Sequence, residues 1–277
     1  MKGYAMETYC YLLSYGRSGS TLLDWLMDSH PAVLGVGEIG RLPEAFYNDS
    51  LMPRYCGCGV LLLQCPYWGA ILREARGLDW KNRPFSDFAG FLLEKLKAMK
   101  PEAMVLFDSS GGLLPLMRLM REPIQGITIK VLYLYRDVRG VVYSASIKGY
   151  NLGSWRPSVV RTASSWYYRN KQYLNFLRSL PKDQFISVCY DSLTADVDGA
   201  LRRLQRFLGV EPIGFLPQWK HLPHHTFAGN RRLRLSNNTK IVTDRNWENG
   251  LSTVQRLLVN LIAGRLNRYL KEGLINK

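Results

Sequence analysis

The stretch LLSYGRSGSTLLDWLMDSHPAVLGVGE, from Leu12 to Glu38, constrains the fold more than any other part of the chain. An apolar run enters a tight Gly/Ser turn, continues with helical apolar spacing, and gives way to a second apolar run at Val33–Gly37. Strand, tight turn, helix and strand in that order form the opening unit of a parallel sheet. Gly16 and Gly19 let the backbone bend close to a ligand, and Ser18, Ser20 and Thr21 offer hydroxyls. The new helix adds its unpaired N–H groups, and Arg17 adds a permanent charge with planar donor geometry. The turn therefore suits an anion. The Walker pattern is absent, because no Gly-Lys-Ser/Thr follows the glycines. By itself the turn would also suit an ordinary N-capped helix.

Further apolar runs bounded by turn residues lie at Met104–Asp108, Ile129–Tyr135 and Phe185–Tyr190. Helical spacing is read over Ser20–Ser29, Phe85–Met99, Val138–Lys148, Val159–Leu180, Asp196–Leu208 and Val254–Leu274. The alternation predicts an α/β protein: a P-loop-like, mainly parallel sheet flanked by helices on both faces. Ligands of such sheets bind at the C-terminal ends of the strands. One domain over residues 1–277 is expected, with an inserted segment at about 41–87 and an irregular covering segment at about 212–250.

The formal net charge is +15, which calls for an anionic partner. The charge is concentrated in two blocks. Residues 118–178 carry 11 basic and 2 acidic side chains, and residues 220–277 carry 11 and 3. No apolar run approaches the ~20 residues needed to span a bilayer, and the N-terminus lacks the layout of a signal peptide. A soluble, cytoplasmic protein is expected. Cys56, Cys58 and Cys65 cluster in RYCGCGVLLLQCPYW. A structural zinc usually takes four ligands and no fourth lies nearby in sequence, so free thiols packing the loop are expected, ahead of a Cys56–Cys65 or Cys58–Cys65 disulfide and of zinc.

A second strand-to-helix junction, VLYLYRDVRGVVYSASIKG, puts Arg136 at a strand end, with Ser144 and Lys148 one turn apart on the following helix. Three donors converging on one point suit a phosphate monoester. Arg139 is expected to pair with Asp137 or to face solvent.

Two anion sites at two strand ends suit a nucleotide with anions on both sides of its ribose. At this point the chain resembles the PAPS-dependent sulfotransferase family, in the branch with a glutamate base that includes the tyrosylprotein and bacterial carbohydrate or natural-product sulfotransferases. Its RSGST turn is similar to that family's 5′-phosphosulfate loop, and RDVRGVVYS to its 3′-phosphate motif. VCYDSL, ALRRLQRFLGV, GNRRLR and DRNW extend the resemblance over most of the chain. The resemblance implies 3′-phosphoadenosine 5′-phosphosulfate (PAPS) as donor. It implies cofactor contacts from Arg17, Ser18, Gly19, Ser20, Thr21, Arg136, Ser144, Lys148, Tyr190, Gly229, Asn230, Arg232 and Arg234. Tyr190 would stand on the adenine side.

Glu38 ends the second apolar run, 21 residues after Arg17. The resemblance makes it the general base that removes the acceptor proton, with Arg17 steadying the leaving phosphate. Glu38 could instead pair with Arg41. Where many relatives read Asp-Ser-Ser-Lys, this chain reads DSSGG, so Gly111 replaces a lysine while Ser109 and Ser110 remain as hydroxyl donors. His30 reads as a helix-end residue, and His221, His224 and His225 fall in the irregular segment. No metal ligand set is evident in the sequence, and no metal is expected.

Two other functions compete. An ATP-dependent P-loop phosphotransferase would need the missing lysine and an acidic Mg²⁺ ligand, a place Asp108 could fill. A nucleic-acid-binding protein would use the basic blocks with Trp155, Trp166, Tyr167 and Tyr168 for stacking, although helix core is the plainer role for these aromatics. The expected acceptor is a small molecule, natural product or carbohydrate, bound through a hydroxyl or an amine. The insertion, with Trp68 and Trp80, and Lys148–Pro157 are expected to wall its pocket, and no nucleic acid partner is expected.

Overall fold

The computed structural model describes residues 6–48, 51–80, 83–147, 157–236 and 238–272. Lys148 and most of the Lys148–Pro157 wall lie outside them, as does the side chain of Arg232.

Five strands form one sheet: β1 (Thr8–Ser14), β2 (Val33–Gly37), β3 (Val105–Gly111), β4 (Thr128–Tyr135) and β5 (Phe185–Cys189). Their order is β2-β3-β1-β4-β5, and every pairing is parallel. The expected mainly parallel sheet is thus wholly parallel among the described residues. β1 lies in the middle with all seven residues buried. Its alternation divides the core: Tyr9, Tyr11 and Leu13 pack on one face of the sheet, and Cys10 and Leu12 on the other. Such double-sided burial is what a nearly continuous apolar strand implies.

The helices follow from their caps. α1 (Ser20–Asp28) starts after Gly19, and α9 (Val197–Leu208) is N-capped by Asp196 and closed by Gly209 in the left-handed conformation. α7 (Val159–Leu177) is capped by Ser158, and α12 (Thr253–Lys271) by a capping box of Ser252 and Gln255. α1 and α9 contribute to the core on the Leu12 face, while α7 and α12 pack on the Leu13 face. Trp166 of α7 is fully buried there, so it is core and not a base-stacking surface.

The inserted segment holds α2 (Leu42–Ala45) and α3 (Trp68–Arg76) before α4 (Phe85–Lys97), and α5 (Leu113–Arg121) follows β3. The sequence periodicity did not give α2, α3 and α5. The expected helix over Val138–Lys148 is α6 (Val138–Val142) followed by a π-helical turn at Tyr143–Ile147. α8 (Tyr190–Ala195) leads into α9, and the irregular segment carries the short helices α10 (Arg231–Leu235) and α11 (Trp247–Gly250). No described helix is long and apolar enough to cross a membrane.

Candidate active site

The C-terminal ends of β1 and β4 point at one place. After β1, Arg17 takes a left-handed φ of 72° and Gly19 one of 100°. Alternating backbone hands turn successive N–H groups toward a common point, the arrangement of an anion nest. Gly19 is required for a second reason. A Cβ there would lie 2.6 Å from the Tyr190 ring. The Ser18 hydroxyl is fully buried and has no hydrogen-bond partner among the described residues. Buried polar groups are ordinarily paired, so this orphan fits a loop that meets an anion.

Arg17 reaches across to the second junction, where its Nε donates to Ser144 Oγ at 2.9 Å. Ser144 lies on the π-helical turn, a widening often found at functional sites. Arg136, at the end of β4, is buried and donates from Nη1 to the Arg17 carbonyl at 3.2 Å. Its Nη2 donates to the Asp244 carbonyl at 3.0 Å and pairs with the Asp244 carboxylate at 3.2 Å. Gly140 leaves it room, since a Cβ there would come within 2.9 Å of Arg136 Nε. Arg17 thus forms one cluster with Arg136 and Ser144, which lie more than a hundred residues further along the chain. Arg139 pairs with Asp137 at 2.6 Å and stacks over Trp247.

Tyr190 sits beneath this cluster. Its ring is buried against Gly19, with the Arg136 guanidinium 4.3 Å above it. In this arrangement it braces the loop and Arg136 and offers little open face to an adenine. Of the late residues, Asn230 N–H donates to Thr21 Oγ1 at 3.0 Å, and Gly229 packs on the Thr21 methyl. The covering segment therefore closes on the first turn of α1. Arg234 points elsewhere: its Nη1 reaches the carbonyls of Tyr55 and Cys56 in the insertion.

Glu38 follows β2 and is partly buried. Burial raises its pKa, and Arg41, paired at 2.8 Å, pulls it back. Its backbone N–H donates to the Phe227 carbonyl at 2.8 Å, and Phe227 N–H returns to Val36 O at the same distance. Residues that the motifs did not reveal hold this strand end. Asp24 and Asp28, four apart on α1, accept the backbone N–H groups of Gly37 at 3.1 Å and Gly35 at 2.9 Å. His224 Nδ1 meets Asp28 Oδ2 at 2.6 Å, and Lys100 donates to the carbonyls of Asp28, His30 and Val33. Two acids at i, i+4 facing a glycine-bearing strand were the available signal.

The DSSGG run is committed within the protein. Ser109 donates to Asp24; Ser110 donates to Asp108 and accepts the Gly40 N–H at 2.7 Å. Asp108 is deeply buried, which pushes its pKa up to about 6. Gly111 has a φ of 79° beside a register shift between β1 and β3. A lysine would be strained at that φ. His30 joins the Glu211 carbonyl and the Ala32 N–H, the structural role its helix-end place implied.

The insertion and the irregular segment meet at a sulfur cluster. The ligand atoms of Cys56, Cys58, Cys65 and His225 lie within 4.8 Å of one another. The fourth ligand that the sequence did not place near the cysteines is supplied by the fold, and all five cysteines are free thiols.

Residues 128–213, from β4 past the end of α9, match the model of a family described as "Sulfotransferase family". The fold is similar to the sulfotransferase domain from the curacin biosynthetic pathway, with a TM-score of 0.67 and 19% identity over 94% of this chain and 97% of that one. It is also similar to the sulfotransferase domain from the Synechococcus PCC 7002 olefin synthase, at 0.59 and 20% over 94% and 88%. Sulfotransferase STF1 from Mycobacterium tuberculosis H37Rv aligns at 0.50 and 16% over 94% and 78%. No curated protein matches the chain. The family match thus covers the β4–α9 segment, and the fold along the length of the chain is that of the sulfotransferase domains it resembles.

Proposed function

We propose that this protein transfers a sulfuryl group from PAPS to a hydroxyl or amine of a small-molecule, natural-product or carbohydrate acceptor. The observation that carries the reading is the cluster of Arg17, Arg136 and Ser144, which joins the two strand-end anion motifs into one site. The Ser18–Thr21 loop receives the 5′-phosphosulfate, with the buried Ser18 hydroxyl as one of its donors. Arg136 and Ser144 take the 3′-phosphate, and Asp244 holds Arg136 in place. Lys148 and Arg232 keep their donor-side assignments by resemblance alone.

The transfer is an in-line displacement at sulfur. As the acceptor oxygen attacks, Glu38 removes its proton. The sulfur–oxygen bond to the 5′-phosphate breaks, and the pair of electrons goes to that phosphate. Arg17 and the loop N–H groups stabilise the developing charge, in place of the lysine absent at Gly111. The insertion, with Trp68 and Trp80 buried in its core, supports the acceptor side. The reaction balances without a metal.

Calorimetric titration with 3′-phosphoadenosine 5′-phosphate, with ATP plus Mg²⁺, and with a short single-stranded oligonucleotide tests this reading. Micromolar binding of the bisphosphate in preference to the other two is expected. Tighter binding of ATP with Mg²⁺, or of the oligonucleotide, would overturn it in favour of a phosphotransferase or a nucleic-acid-binding protein.

A further inference from the structure

We infer that Cys56, Cys58, Cys65 and His225 bind one structural zinc ion. The distances fit the ion. His225 Nδ1 lies 3.3 Å from Cys65 Sγ and 4.0 Å from Cys56 Sγ, and all four ligand atoms fall within 4.8 Å. Zinc–sulfur bonds of ~2.3 Å and zinc–nitrogen bonds of ~2.0 Å at tetrahedral angles set sulfur and nitrogen about 3.5 Å apart and two sulfurs about 3.8 Å apart. The two sulfur–nitrogen separations bracket the first value, and the 4.8 Å limit leaves room for the second. Three thiolates and one imidazole are a soft, closed donor set that leaves no position for substrate, which marks a structural site and favours zinc over harder cations.

The surroundings are built to hold this geometry. Cys56 and Cys58 lie on a tight knuckle closed by the Cys56 N–H to Val60 O and Gly59 N–H to Cys56 O bonds, at 2.9 and 3.0 Å. Gly57 N–H donates to Thr226 O at 3.0 Å, joining the knuckle to the segment that carries His225. Trp68 Nε1 donates to the His225 carbonyl at 2.7 Å, and the Tyr67 ring meets the imidazole edge-on at 4.6 Å. Such outer contacts orient metal ligands. Cys56 and Cys65 are buried, while Cys58 is partly exposed.

The site has a consequence for the active centre. His225 stands two residues before Phe227, whose backbone pairs with Val36 and Glu38. The ion therefore ties the insertion to the segment that holds the end of β2, where Glu38 emerges. A ligand from residue 225 and ligands from residues 56–65 form a long-range staple that no local turn could replace.

Plasma-emission metal analysis of the full chain, purified without metal-affinity resin, tests the assignment, with cobalt substitution as a second reading. One zinc per chain is expected, with the visible absorption of tetrahedral cobalt thiolate after exchange. Cys65→Ser and His225→Ala should each reduce the zinc at least ~10-fold, and chelation should lower the unfolding temperature of wild type. Less than ~0.1 zinc per chain that reconstitution does not raise would overturn the proposal, as would a disulfide among the three cysteines in mass analysis. If either variant fails to fold, the wild-type stoichiometry and cobalt spectrum still decide. The measurement does not depend on donor binding, so the site can stand or fall apart from the proposed reaction.

Discussion

Glu38 owes its pKa to two opposed neighbours, the burial that raises it and the Arg41 guanidinium that lowers it. In the proposed role of base it would work only when ionised. The rate of transfer should therefore rise with pH along a limb set above the ordinary glutamate value of ~4.3. Glu38→Gln should remove that limb and lower kcat by ~10²–10⁴-fold. Arg41→Ala should move the limb to higher pH, because the cation that favours the carboxylate is gone. A pH–rate profile of the three proteins checks both statements; an unmoved limb in Arg41→Ala would show that another group is titrating. The strand-end positions of Glu38, Arg17 and Arg136 were legible because each stands beside a recognisable turn. Ser109 and Ser110 were not, because their hydroxyls turn inward to Asp24 and Asp108. That choice depends on how β3 packs against α1, and no local pattern encodes it.

At the scale of elements, the β4–α6 junction depends on Asp137. Its carboxylate caps α6 by accepting the Arg139 N–H at 2.8 Å, and it pairs with Arg139 and with Lys271 of α12 at 2.6 and 2.7 Å. These partners hold its pKa well below the ordinary range despite burial. Val138 N–H donates to Asn267 of α12 at 2.9 Å, so α12 holds the start of the helix that presents Ser144. Removing one member of such a buried set typically costs ~3–5 kcal/mol. Asp137→Asn should lower stability by about that amount at pH 7 in urea unfolding. A depressed carboxylate stabilises above its unfolded pKa of ~3.9 and loses that effect as pH falls through its folded value. The gap between wild type and variant should thus narrow in acid, and a gap constant with pH would contradict the assignment. All five strands were readable to within a few residues, since buried parallel strands leave unbroken apolar runs. The π-helical turn at Tyr143–Ile147 was not, because the sequence spacing of SASIK also suits an α-helix.

Across the whole molecule, the +15 charge and the two-block layout fit an anionic ligand focused at one sheet edge. Binding of 3′-phosphoadenosine 5′-phosphate should weaken several-fold as ionic strength rises from ~0.05 to ~0.2 M, where screening shortens toward ~8 Å. Adenosine, which is uncharged, should show no such trend in the same titrations; equal salt dependence for both would argue against charge-directed binding. The contact of His225 with the cysteine knuckle was out of reach of sequence reading for a global reason. Its partners lie 160 or more residues away, and they meet through the pairing of Phe227 with β2 and the bonds of Gly57 and Trp68 to Thr226 and His225. The central claim is that Arg136 reads the 3′-phosphate of the donor, and a two-by-two titration tests it most directly. Wild type and Arg136→Ala are each titrated with 3′-phosphoadenosine 5′-phosphate and with adenosine 5′-phosphate, which lacks the 3′ group. A charged hydrogen bond of ~1.5–3 kcal/mol predicts that wild type prefers the bisphosphate by ~10–150-fold and that the variant loses most of this preference. A variant that discriminates between the two ligands as strongly as wild type would contradict the account.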